Sequence, residues 1–371
     1  MTRTAFVAVL LLALFGACSI ESPTDTRRPQ PGTRTFAMGF TDFPYANSFN
    51  ALLETYAAIE RDGDMTVMHF DDGVPWQEAL DGIAYDPNYL GTLTAKASMI
   101  PAGHVVYLAV TPIAFSRDRL ADYRGATGSE PLPPPWDERS FDHPEVITAF
   151  TNHCENMISL FSPDYFAYAI EANMLIQLAP NSWDAFVALA ETVYTNLKTN
   201  YPDLPICISL QVQSYYSDPT SQKAGFQQVL HYTDIIALSS YPFSQETNLE
   251  LIPSNYPAEL ANLAPGKPFA IAETAWPAED VTAPYPVDIP ADEDRQRLYM
   301  EWLLSESLRS SAQFVCWFFT RDYDQMWESD LQYHPDAALL RLWKDTGLYD
   351  GQGNARSALS AWRKVLAYER Q

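Results

Sequence analysis

Short apolar runs alternate with amphipathic stretches about eight times over the chain. This pattern predicts an α/β fold: a (β/α)8 TIM barrel formed by a single domain over residues 34–371. Two observations carry the prediction. The runs are apolar throughout rather than at every second residue, as parallel strands buried on both faces must be. The stretches between them place apolar residues at helical spacing. A doubly wound open sheet shares these ingredients, but no Gly-rich phosphate loop follows the first run.

In order, the eight strand-like runs are Phe36–Phe40, Met65–Phe70, His104–Val110, Phe166–Ala172, Ile206–Val212, Asp234–Ser240, Phe269–Thr274 and Phe314–Phe319. The clearest helix follows the fourth run. Asn181 or Ser182 can cap it, Phe186, Val187, Ala190, Val193, Tyr194 and Leu197 make its apolar face, and Pro202 stops it. Further helical patterns run over Pro144–Leu160, Ala291–Ser310 and Ala355–Tyr368. Two connections are too long to be turns, Thr111–His143 and Trp276–Pro290. Both follow strands, so both belong on the C-terminal face of a barrel, where long loops shape a cleft.

Residues 1–17 have the form of a signal peptide: Arg3, an apolar stretch from Ala5 to Phe15, then Gly16 and Ala17. The segment LFGAC, ending at Cys18, resembles a bacterial lipobox. That resemblance implies an acylated Cys18, an exported protein and a lipid anchor in the cell envelope as its contact with a membrane. Ser19 after the cysteine points, by the same resemblance, to the outer membrane. Residues 18–33 are polar and Pro-containing and read as a tether. The other cysteines, Cys154, Cys207 and Cys316, are too few and too widely spaced for a disulfide framework. No CxxC or HExxH occurs, so a dedicated metal site has no sequence support. No organic cofactor is expected.

The chain carries 47 Asp and Glu against 23 Lys and Arg, for a net charge of -24. That excess disfavours nucleic acid and anionic lipid surfaces as partners and suits a neutral ligand such as a carbohydrate. A monomer is expected.

Two glutamates end apolar runs. Glu171 lies in AYAIEAN and Glu273 in FAIAETAWP, at the ends of the fourth and seventh runs. A carboxylate in such a run is costly without a partner or a function. Two of them converging on one barrel mouth are what a retaining glycosidase needs, one as acid/base and one as nucleophile. By alternation Asn173 could face the same way as Glu171. Trp136, Trp276 and Trp317, all at or after strand ends, could pack against sugar rings. Trp76 and the pair Tyr215–Tyr216 are weaker versions of the same idea. His69 could bond a hydroxyl, and Asp42 is a further candidate. Neither a DxxDxDxE pattern on the fourth run nor a GxSxG elbow occurs, which disfavours a chitinase-type site and a serine hydrolase.

The segment AETAWP resembles the seventh-strand nucleophile motif of clan A glycoside hydrolases, especially the arabinogalactan endo-β-1,4-galactanase family. The resemblance extends to LSSYP, to CWFFTRDYD and to the closing stretch Asp345–Trp362. It implies Glu273 as nucleophile, Glu171 as acid/base, Tyr241 touching Glu273, and Trp317 as the floor of the sugar subsite, with a β-linked galactan as first expectation for the substrate. One position departs from the family. Clan members carry Asn immediately before the acid/base, and here that residue is Ile170. The competing reading is a non-catalytic barrel lipoprotein that binds glycan or another envelope partner, with Ile170 marking a decayed site.

Overall fold

A computed structural model describes residues 32–371 except Thr247, Ser254, Asn255 and Pro257. Cys18, the signal segment and most of the tether lie outside the described residues. Eight parallel strands close into a barrel: β1 (Ala37–Thr41), β2 (Met65–Phe70), β3 (Val105–Val110), β4 (Tyr165–Ala169), β5 (Ile206–Gln211), β6 (Ile236–Ser240), β7 (Phe269–Thr274) and β8 (Phe314–Trp317). Each pairs with its sequence neighbours, and β8 pairs with β1 to close the ring. Closure rules out the open sheet. Gly39 of β1 lies opposite Met65 of β2, and a Cβ there would sit 2.1 Å from the Met65 carbonyl oxygen, so only glycine allows this approach.

Helices follow the strands and cover the barrel. The longer ones are α1 (Phe49–Asp62), α2 (Pro87–Met99), α3 (Pro144–Phe161), α4 (Trp183–Asn200), α5 (Pro219–Val229), α6 (Glu293–Ser310) and α7 (Ser357–Leu366). The helix expected after the fourth run is α4, and it begins just after Ser182, although that side chain makes no capping bond. The last helix locks onto the first: Trp362 Nε1 donates to the Asp62 carbonyl at 2.6 Å, and Arg363 Nε to the Asp62 carboxylate at 2.7 Å. A two-stranded pairing of 33–34 with 369–370 ties the described ends of the chain together.

Two apolar layers follow from strand alternation. Outward residues such as Phe166, Leu238, Ile271, Val315 and Trp317 pack under the helices. A smaller cluster of alternate strand residues, including Val67, Tyr107, Ala109, Cys207, Ala237, Ala270 and Cys316, fills the barrel interior. The three cysteines 154, 207 and 316 are free and buried.

Alternation breaks on two strands, and each break precedes a glutamate. On β4 the pairing with β5 shifts between Ala167 and Ala169, and the strand ends there rather than at Ala172. Glu171 then takes a left-handed conformation, φ 50° and ψ 39°. On β7 the pairing with β6 shifts between Ile271 and Glu273. Without that irregularity Glu273 would continue the outward series of Phe269 and Ile271. Bulges of this kind re-aim side chains beside functional sites.

Candidate functional site

The C-terminal mouth of the barrel holds a cavity of about 440 Å³, within the usual range for a small-ligand site. Glu171, Glu273, Tyr241 and His69 all line it. Glu273 is 6% exposed and Glu171 8%. The Tyr241 hydroxyl donates to Glu273 Oε2 at 3.0 Å. His69 Nδ1 stands 3.9 Å from Glu273 Oε1, too far for a hydrogen bond. Burial and the nearby Arg117 push the His69 imidazolium down to about 3, so the ring is neutral and this contact is no ion pair at neutral pH.

Glu171 is held from three sides. Its backbone N–H donates to Ser209 Oγ at 2.8 Å. Gln211 Nε2, from the end of β5, donates to Oε1 at 3.3 Å. Arg117 Nε donates to Oε2 at 3.3 Å. Arg117 also grips Asp71 in a two-toothed pair, Nη2 to Oδ2 at 2.8 Å and Nη1 to Oδ1 at 3.1 Å. Its own backbone is left-handed, φ 60°, at the tip of a tight turn after β3. A left-handed, non-glycine residue under a buried charge network is strain of the kind found at functional sites.

Glu171 and Asp71 thus share one guanidinium, and Glu273 lies within its field. Burial raises all three above the ordinary range. For Glu273 the charge of Glu171 adds to that rise, while Arg117 and the Tyr241 hydrogen bond oppose it. For Glu171 and Asp71 the principal opposing influence is Arg117. Burial and Glu273 hold the Tyr241 hydroxyl protonated. Burial thus favours the neutral forms of the pair, and Arg117 opposes this most directly at Glu171, which it touches.

Five expected ligand-binding residues are elsewhere. Trp317 is fully buried, faces outward from β8 and donates from Nε1 to the Thr346 carbonyl at 2.9 Å. Alternation from Phe314 and Cys316, which face inward, gives the mouth to Phe318 instead. Trp276 is fully buried against Tyr299 and Phe243. Trp136 is stacked on Trp76 at 5.5 Å beneath Arg139. Asp42, fully buried, pairs with Lys96 at 2.8 Å and accepts from Tyr56 at 3.0 Å. Asn173 does not follow Glu171 into the cavity because the strand has already ended. Its amide bridges the Gln211 backbone and Gln222, fastening the end of β5. The connection Trp276–Pro290 contributes nothing to the cavity lining, whereas Thr111–His143 contributes Phe115, Ser116 and Arg117. Tyr215 and Tyr216 do not line it either.

Other residues complete the mouth. Phe43, Phe318, Phe319, Tyr323 and Trp343 line one side with aromatic rings. Phe318 stands edge-on to both His69 and Tyr241, at 5.5 and 6.1 Å. The Trp343 indole N–H has no hydrogen-bond partner among the described residues. As for metals, one acidic trio among the described residues, Glu279, Asp322 and Asp345, could converge on an ion. Arg356 bonds the first two and Arg341 and Lys344 the third, so its charge is already balanced.

No protein-family model and no curated protein sequence matches this chain. Solved structures do resemble it. A GH5_18 variant from Bifidobacterium longum subsp. longum, in complex with Manβ1-4GlcNAc, is 13% identical with a TM-score of 0.62, covering 91% of this chain and 80% of that one. The exo-β-1,4-mannosidase Op5Man5 from an Opitutaceae bacterium is 13% identical with a TM-score of 0.64, covering 93% of this chain and 61% of that one. The GH53 catalytic domain of Ignisphaera aggregans is 17% identical with a TM-score of 0.53, covering 91% and 92%. The chain therefore has the (β/α)8 fold seen in barrel glycoside hydrolases.

Proposed function

We propose that this protein is a retaining glycoside hydrolase acting on a β-linked sugar. The observation that carries the proposal is the pair of buried glutamates. Separate irregularities at the ends of β4 and β7 accompany their placement in one cavity, where the charge of Glu171 disfavours ionisation of Glu273. In the reaction Glu273 attacks the anomeric carbon and Glu171 protonates the departing oxygen. Glu171 then takes a proton from the water that releases the sugar. Glu273 must be ionised to attack and Glu171 protonated to donate. Tyr241 donates to the Glu273 carboxylate and steadies it. The rings of Phe43 and Phe318 offer apolar faces to the sugar. The solved neighbours include β-1,4-mannosidase and β-1,4-galactanase structures, which supports a hexopyranoside without choosing between the two.

One observation favours a second reading. Arg117 bonds the Glu171 carboxylate and opposes its protonation, and Ile170 replaces the asparagine of the resembling family, so the barrel could bind a glycan without cleaving it. Dinitrophenyl glycosides separate the two. Their leaving group needs no proton, so Glu171→Gln should retain substantial activity on them while losing at least about a hundredfold on alkyl glycosides. Equal loss on both substrates would contradict the role given to Glu171. Wild-type protein inert towards both β-mannosides and β-galactosides would leave the binding reading.

A further inference from the structure

We propose that the leaving-group side of this cavity takes an apolar aglycone, so that the substrate class is a glycoside of a hydrophobic alcohol rather than an internal bond of a polar glycan. This rests on the assignment of Glu171 as the proton donor to the leaving oxygen. Whatever flanks Glu171 then flanks the aglycone.

Three side chains of the cavity wall sit on the segments that carry and clamp Glu171. Met174 and Leu178 lie three and seven residues beyond it, on the short helical turns that follow β4. Phe115 lies two residues before Arg117, whose guanidinium stands 5.9 Å from its ring. None can bond a hydroxyl. The polar groups nearby are already engaged. Gln211 donates to Glu171 and accepts from Ser214 at 2.7 Å, Arg117 is divided between Glu171 and Asp71, and Ser116 bonds Asp118. A sugar at this place would leave several hydroxyls without partners, a cost that an alkyl chain does not incur. The wall also continues outward. Leu178 is 52% exposed and Phe115 38%, and Leu339, also in the lining, is 41% exposed, so three large apolar side chains open to solvent at one mouth. Exposed apolar surface gathered at a concave site marks a binding surface. The aromatic rings cluster on the opposite side, around Glu273 and Tyr241, where the retained sugar would lie.

In the reaction the bond from the anomeric carbon to the aglycone oxygen breaks as Glu273 bonds that carbon. Glu171 gives its proton to the oxygen, releasing a neutral alcohol. Water then displaces Glu273 and returns the proton to Glu171.

Methyl and octyl 1-thio-β-galactosides and 1-thio-β-mannosides resist hydrolysis and test the wall directly by titration calorimetry below the micellar concentration. With the preferred sugar, the octyl ligand should bind at least about tenfold more tightly than the methyl ligand. Leu178→Asp and Phe115→Ala, both at exposed positions, should each cut that advantage to about threefold or less, the octyl ligand losing more affinity than the methyl ligand. Equal affinity for methyl and octyl ligands, no binding of either, or an octyl advantage that survives both substitutions would overturn the proposal. Hydrolysis is read separately. Turnover without an octyl preference sinks the aglycone assignment alone, whereas an octyl preference without turnover on any oxygen glycoside sinks the enzymatic reading and leaves an amphiphile-binding cavity.

Discussion

Glu273 is placed where a carboxylate is expensive. Burial and the neighbouring Glu171 raise its pKa from the ordinary value of 4.5, against the pull of Arg117 and the Tyr241 hydroxyl. Its folded pKa exceeds its unfolded one, so above about pH 4.5 the native state holds a proton that the unfolded chain has released. Stability contributed by this group is therefore greatest in acid and falls as pH rises through the folded pKa. Glu273→Gln should remove that penalty. Its melting temperature should exceed that of the wild type by at least about 2 °C near pH 7, and the gain should shrink towards pH 4.5. Thermal denaturation across that range checks this, and a variant less stable than the wild type at neutral pH would contradict it. The partner residues were harder to read. Arg117 and Asp71 lie 54 and 100 residues before Glu171 in loops, and nothing local marks either as the clamp on a strand-end glutamate. Only the turn that gives Arg117 a left-handed backbone brings its guanidinium under the barrel mouth.

At the scale of elements, apolar runs reveal strands well because both faces of each are buried. All eight appear within a few residues of where the sequence puts them. Which face a residue takes is less visible. Strict alternation correctly leads from Met65 and Val67 to His69, and from Cys207 and Ser209 to Gln211. Applied to β8 it assigns Trp317 to the helical shell and Phe318 to the mouth, the reverse of the expectation drawn from family resemblance. Applied to β7 it would misplace Glu273, because the shift in pairing that turns the side chain inward has no sequence signature. The β8 pair makes a direct comparison possible. Trp317→Phe removes a buried hydrogen bond and some volume, and should cost about 1–3 kcal/mol of stability with kcat/KM unchanged. Phe318→Ala should instead lower kcat/KM by roughly tenfold, chiefly through KM. Melting curves and steady-state kinetics on the two variants distinguish these outcomes. Loss of kcat/KM in Trp317→Phe with normal stability would restore Trp317 as a subsite residue.

For the whole molecule, the barrel and its site were legible from periodicity and from two glutamates in apolar surroundings, while the aromatic cleft was legible only as a composition. All four tryptophans singled out, Trp76, Trp136, Trp276 and Trp317, are core, because a large ring at a strand end is as well used under a helix as over a ligand. Among the described residues no helix is long and apolar enough to cross a membrane. The proposed attachment therefore rests on LFGAC and the polar segment after it. Wild-type protein expressed with its own N-terminus should fractionate with membranes, and Cys18→Ala should not. An unmodified mature N-terminus by mass spectrometry would remove the anchor while leaving the barrel account intact.

If Glu273 is the nucleophile, it forms a covalent bond to the sugar during turnover. Activated 2-deoxy-2-fluoro β-galactosides and β-mannosides slow the release of such an intermediate enough for it to accumulate, and peptide mass spectrometry locates the attachment. Time-dependent inactivation by one of the two is expected, with a single fluorosugar on the peptide containing Glu273 and none in Glu273→Gln. Label on Glu171 would reverse the two roles, and the absence of label with either sugar, in protein that binds the corresponding thioglycosides, would contradict a retaining hydrolase.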